Sequence, residues 1–276
     1  MTSSFRELLK DLLPPVVKRW AAVVFHRLFR RGTVFAGHYA DWETAASAAT
    51  GYSTPEILER TRKAVLLVKR GEARFERDSV ILPEPEYSFP ALTALLGIAA
   101  QSEGRLDVVD FGGSLGSSFF QFRPLLAGVS SLRWAVVEQA HFVECGRREI
   151  AGDGLSFHAT ITEAIEASGR RLFFASSVLQ YLPDPGRFIE ELLEYRFDYI
   201  LIDRTAFHSG LRDRLTLQRN PSTLYAASYP AWFFNEERFI ARFAAAYRVI
   251  YAFDGRDQVL LANGRPYYRG FFLQRK

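Results

Sequence analysis

The chain has 276 residues, 48% of them apolar, and a formal net charge of +4, enough for one large domain with a sizeable core. Its single cysteine, Cys145, excludes an internal disulfide framework and suits a reducing compartment, so a cytoplasmic location is expected. The five histidines (His26, His38, His141, His158 and His208) are scattered, and neither a Gly-x-Ser-x-Gly elbow nor a Gly-Lys-Ser/Thr phosphate loop occurs; no metal site and no serine-hydrolase or phosphate-loop chemistry is expected.

The charge is uneven. Residues 1–31 hold seven Lys/Arg against Glu7 and Asp11, a net of +5, which leaves −1 for the remainder. Their spacing predicts helices over residues 5–13 and 16–29, broken at Pro14-Pro15. In the second, Val17, Ala21, Val24, Phe25 and Leu28 share one face and basic groups the other. Such a helix either packs on its own domain or lies peripherally on an anionic membrane; it is too short and charged to span one.

Residues 32–104 read as a helical cap and linker. Asp41 is placed to cap a helix with Thr44 in its first turn, and Thr54-Pro55 opens another helix to about Lys69. The proline-rich run 82–90 reads as an extended linker, and a helix over 91–101 leads into the third segment, residues 105–276.

That segment opens on residues 108–116, VVDFGGSLG, a buried-type strand running through Asp110 into Gly112, Gly113, Ser114 and Gly116. A glycine turn between strand and helix lets backbone approach a polar ligand. A second apolar run, 132–138, ends in Glu138, placed as a ribose-binding carboxylate would be. Further apolar runs at 155–161, 172–177 and 197–203 alternate with helical patterns at 163–167 and 185–195, which predicts an α/β fold with a parallel sheet. Beyond Asp203 the reading is an arginine-rich loop over 204–220, a helix from 236 capped by Asn235, and two final strands at 247–253 and 267–273.

Asp110-x-Gly112-x-x-x-Gly116, then Glu138, then residues 175–184, ASSVLQYLPD, resemble a class I S-adenosylmethionine-dependent methyltransferase. The phrases at 35–42, 201–205 and 228–234 are similar to a bacterial methyltransferase group often met among surface-polysaccharide genes. The resemblance implies a Rossmann-like, mainly parallel seven-stranded sheet flanked by helices, with an antiparallel last strand pair and the N-terminal helical cap. It implies S-adenosylmethionine as cofactor, held by Asp110, Gly112, Gly113, Ser114, Gly116, Glu138 and Ser176. Ser114 departs from the family's middle glycine, and Gln180-Tyr181 removes any histidine from the segment after the fourth strand.

Methyl transfer asks chiefly for positioning and, for a hydroxyl acceptor, a base. Asp203 and His208 are the candidate bases. Gln180, Tyr181, Arg204 and Tyr229 are candidate acceptor ligands, with Arg204 suited to a carboxylate or phosphate. Tyr39, Trp42, Tyr229 and Trp232 are candidates to roof the cofactor or stack on a sugar. The expectation is O-methylation of a small-molecule or glycan-related acceptor, with no nucleic-acid partner, because the basic excess sits on the leader. Two alternatives stay open: a cofactor-binding scaffold at a membrane assembly, and an NAD-binding oxidoreductase.

Overall fold

A computed structural model describes residues 33–51, 55–220, 227–255, 260–261 and 265–276. The readings of the leader (1–31) and of Thr54 as a cap lie outside the described residues.

The N-terminal part comprises β1 (Val34–Tyr39), α1 (Trp42–Ser47), α2 (Pro55–Lys69), the hairpin strands β2 (Phe75–Arg77) and β3 (Val80–Leu82), and α3 (Phe89–Ala100). Then follow β4 (Arg105–Phe111), α4 (Ser117–Phe122), β5 (Ser131–Val137), α5 (Ala140–Cys145), β6 (Leu155–His158), α6 (Ile161–Ser168), β7 (Leu172–Ser176) and α7 (Pro185–Glu194). The chain continues through β8 (Tyr199–His208), β9 (Arg214–Arg219), β10 (Ser228–Phe233), α8 (Glu236–Ala241), β11 (Tyr247–Asp254), β12 (Leu260–Leu261) and β13 (Pro266–Arg275).

Seven strands form the central sheet in the order β11-β13-β8-β7-β4-β5-β6. Strands β4 to β8 pair in parallel, and β13 lies antiparallel between β8 and β11. Successive residues of a strand face opposite sides, so a sheet covered on both faces reads as a continuous apolar run. Accordingly Val108 enters one core cluster with Trp134, Phe119 and Phe122, while Val109 enters the other with Phe173, Ile189 and Leu192.

Local chemistry sets the helix starts. Asp41 accepts from the Thr44 amide at 2.8 Å, Asp184 from Arg187 at 2.9 Å with Pro185 at the first helical position, and Asn235 from Arg238 at 2.9 Å. The Leu-Pro-Asp-Pro phrase therefore has a structural duty as a helix start. Helix α3 begins at Phe89 rather than 91, because Pro90 is tolerated in a first turn, where no backbone donor is needed.

Two sequence expectations need correction. The segment 204–220 is not a loop: β8 continues to His208 and β9 follows after a short turn. Asp203 and Arg204 lie opposite Gly270 in a β-bulge, and a bulge interrupts the apolar run without ending the strand. The N-terminal segment is also not purely helical. Its β1 joins β9, β10 and β12 in a second, four-stranded sheet, sealed by Phe35 edge-on to Phe233 at 5.0 Å. The 32–104 cap is thus woven into strands from the C-terminal third.

Candidate active site

The carboxyl ends of β4, β5, β7 and β8 open into a cavity of about 1000 Å³, roofed by the β2–β3 hairpin and walled by the second sheet. This is where parallel α/β sheets bind ligands.

Asp110 ends the apolar part of β4 and is buried; its Oδ2 accepts a hydrogen bond from Trp134 Nε1 of β5 at 2.8 Å. Burial pushes its carboxyl up to about 7, against the lowering effect of the indole and with a further push from the neighbouring Glu138. The glycine turn fits itself around these groups. A Cβ on Gly113 would lie 2.5 Å from Asp110 Oδ2, and one on Gly112 (φ 71°) would strike Val178 at 2.4 Å. Gly116 (φ 87°) starts α4, and a Cβ there would press on Leu155 at 2.9 Å. Ser114 takes the left-handed backbone (φ 55°) that a glycine would adopt freely, and it does line the cavity.

A test of this packing is Gly113→Ala, expected to destabilise the protein by about 1–3 kcal/mol because the carboxylate it meets is itself pinned. Gly128→Ala, with no atom within 4 Å of the new methyl, is the control in urea unfolding. Equal stability of the two variants would refute the placement of Asp110.

Glu138 follows β5 and lines the cavity half-buried, accepting a bond from the Gln139 amide. Burial raises its carboxyl above the ordinary range. Among the described residues, neither Asp110 nor Glu138 is paired with an Arg or Lys. Ser176, Ser177 and Asp203 complete the sheet side of the wall, Asp203 only 4% exposed and accepting from the Arg204 amide at 2.9 Å.

Ser177 (φ 56°) and Arg204 (φ 50°) repeat the left-handed backbone of Ser114, so two strand ends and the bulge of β8 around one cavity hold non-glycine residues there, at about 1–2 kcal/mol each. Gln180 holds two of them. Its buried amide donates to Ser177 Oγ at 3.2 Å and to the Arg204 carbonyl at 3.3 Å. It is fully buried and does not line the cavity, so its reading as a direct acceptor ligand is corrected to one of positioning the end of β7 and the bulge of β8.

Arg204 lines the cavity, but its guanidinium is engaged by Asp78 at the hairpin tip, at 2.7 Å. Tyr181 and Tyr229 are on the wall, edge-on to one another at 5.3 Å. The Tyr181 hydroxyl donates to Gln218 Oε1 at 2.8 Å; Gln218 Nε2 donates to the Tyr229 hydroxyl at 2.8 Å and to Asn220 at 3.0 Å. His208 is not in the cavity. Its ring faces the β8–β9 turn, Nε2 within 2.8 Å of the Arg212 carbonyl and Nδ1 accepting from Gly210, so the base role read for it is corrected. Trp42 lines the cavity, whereas Tyr39 and Trp232 do not. Cys145 is buried, its thiol pushed up by desolvation.

Sequence reasoning missed Glu76. It lies on β2, 4% exposed, and lines the cavity. Burial pushes its carboxyl up to about 7, with Asp78 adding to the shift and Ser117, the Ser79 amide and Arg204 opposing it. Nothing local marks it, since its burial comes from where the hairpin is laid. Across the described residues of the wall there are seven carboxylates (Glu76, Asp78, Glu86, Asp110, Glu138, Asp203 and Asp254) and two guanidiniums. Both guanidiniums are engaged, Arg204 by Asp78 and Arg77 by Glu86 at 2.7 Å. The described wall thus carries an excess of carboxylates over guanidiniums.

No protein-family model matches the sequence, and no curated protein does. Solved structures resemble the chain at low identity. The N-terminal domain of EvdMO1, in the presence of SAH and D-fucose, is 13% identical with a TM-score of 0.48, over 82% of this chain and 98% of that one. Magnesium protoporphyrin IX methyltransferase (ChlM) from Synechocystis PCC 6803 with bound SAM is 13% identical with a TM-score of 0.44, over 82% and 100%. LepI in complex with SAM is 12% identical with a TM-score of 0.46, over 70% of this chain and 49% of LepI, so this chain spans about half its length. The mainly parallel seven-stranded sheet, flanked by helices and closed by the antiparallel β13, is a Rossmann-like α/β fold.

Proposed function

We propose that the protein is an S-adenosylmethionine-dependent methyltransferase acting on an oxygen of a small-molecule or glycan-related acceptor. The observation that carries this is the carboxylate-rich wall around the glycine turn. S-adenosylmethionine brings a sulfonium and an ammonium, which the wall lacks, whereas the pyrophosphate of NAD would add negative charge beside Asp110 and Glu138.

The residues present fit this cofactor. Glu138 would take the ribose hydroxyls, and Gly112, Gly113 and Ser114 would bring backbone against its amino-acid end. When bound, the cofactor supplies an electrophilic methyl group. The chain's own part is to position and desolvate. Tyr181, Tyr229, Gln218 and Asn220 offer hydroxyl and amide groups to the acceptor, a wall suited to a polyhydroxyl compound. Asp203, at the bulge of β8, would take the acceptor's proton.

The test is calorimetric titration with S-adenosylmethionine, S-adenosylhomocysteine and NAD. Binding of the first two is expected, weakened roughly 10- to 100-fold in Glu138→Ala by loss of the charged acceptor of the ribose hydrogen bonds. Binding of NAD alone would make the protein an oxidoreductase candidate, and binding of none would favour a scaffold.

A further inference from the structure

Among the carboxylates of the described wall, Glu76 is carried by the β2–β3 hairpin and not by the central or the second sheet, and it is buried. The β2–β3 hairpin carries it there through a two-residue tip, Asp78-Ser79, with left-handed backbone at both positions (φ 51° and 68°). The hairpin is anchored on three sides: Asp78 to Arg204, Ser79 Oγ to Thr61 Oγ1 at 2.6 Å, and Arg77 to Glu86. Glu76 Oε2 accepts from the Ser79 amide at 3.2 Å, while Oε1 is buried without a hydrogen-bond partner. A buried carboxylate oxygen left unpaired carries a large desolvation penalty. The Ser117 hydroxyl lies near enough to this carboxylate to oppose the rise in its pKa but makes no hydrogen bond to Oε1, and Ser117 opens α4 immediately after the glycine turn. Glu76 therefore lines the cavity beside the start of that helix.

We propose that Glu76 binds the α-ammonium of S-adenosylmethionine, its Oε1 accepting the hydrogen bond that the free protein leaves unmade. This inference rests on the cofactor reading above. It assigns to the N-terminal hairpin, rather than to the sheet, the recognition of the cofactor's amino-acid end. Glu76 is then a specificity residue. It separates ligands carrying the amino-acid group from adenosine derivatives that lack it.

The experiment measures binding of S-adenosylhomocysteine and of 5′-methylthioadenosine, which keeps the adenosine and thioether but has no amino-acid end, to wild type and E76Q. Wild type is expected to bind both. E76Q is expected to bind 5′-methylthioadenosine unchanged and S-adenosylhomocysteine roughly tenfold or more weakly, the loss of one charge-assisted bond. Unchanged S-adenosylhomocysteine binding in E76Q would overturn the assignment and leave the cofactor reading standing, as it would if Glu76 served the acceptor instead. Equal loss of both ligands would also overturn it, marking Glu76 as structural. Failure of wild type to bind either ligand would remove the cofactor reading itself. Should E76Q not fold, the deaminated analogue of S-adenosylhomocysteine on wild type, with E76D beside it, decides the question. Full affinity for the deaminated analogue, or for S-adenosylhomocysteine in E76D, counts against the proposal, and selective loss of both supports it.

Discussion

Lowering the pH from 8 to 6 is expected to weaken S-adenosylmethionine binding by on the order of a hundredfold, about tenfold for each of two carboxylates that titrate near neutrality. Asp110 and Glu76 both have their carboxyl pushed up to about 7 by burial, and Glu138, beside Asp110, is also raised. A cation in the cavity favours the ionised forms, so these groups ionise more readily in the complex than in the free protein. Below pH 7 the free protein holds protons that binding must expel, and affinity falls as pH falls. Arg204 and Arg77 keep their charge across this window and alter only its position. Titrations in buffers of different ionisation enthalpy should show proton release at pH 6.5 and little at pH 8.5. The uncharged 5′-methylthioadenosine should show a nearly flat profile. A flat profile for S-adenosylmethionine as well would mean that the wall is not read by positive charge.

Asp110→Asn is expected to move stability and binding in opposite directions. The folded-state carboxyl of Asp110, near 7, lies above the unfolded value of about 3.9. The native state therefore holds the proton more tightly, and stability falls as pH rises from about 4 to 7. Above pH 7 the whole cost of a buried, unneutralised carboxylate is present. Asparagine keeps an oxygen for Trp134 Nε1 and removes the charge. At pH 8 the variant should gain on the order of 2–4 kcal/mol over wild type, with the advantage gone by pH 4. Its affinity for S-adenosylmethionine should drop, because the cation loses a counter-charge. Thermal melts at both pH values, with and without ligand, check both halves. A variant less stable than wild type at pH 8 would show that the Asp110 charge supports the fold instead of burdening it.

Much of this was legible in the chain itself. The runs around Val108, Ala135, Phe173 and Ile200 are apolar on both faces, and only a parallel sheet covered on both sides asks for that. The glycines at 112 and 113, the carboxylates at 110 and 138, and the caps at 41 and 235 are local features whose chemistry acts within a few residues. For them, sequence order is enough. What the sequence did not reveal depends on contacts between distant segments. Trp134 and Asp110 meet because β4 and β5 pair in register. The arginine-rich stretch before Asn220 is a strand because β1, some 180 residues earlier, offers it a partner. The same distance hides roles as well as elements. His208 looks like a base and is spent on a turn; Gln180 looks like a ligand and braces two strand tips. Glu76 looks like one surface charge among several and is buried over the cavity. Local pattern determined the sheet and its glycine turn, since backbone preference and apolar periodicity are properties of neighbours in the chain. The charge and lining of the cavity were decided only by tertiary structure, since burial, which raises a carboxyl or leaves its oxygen unpaired, exists only once remote segments have packed together.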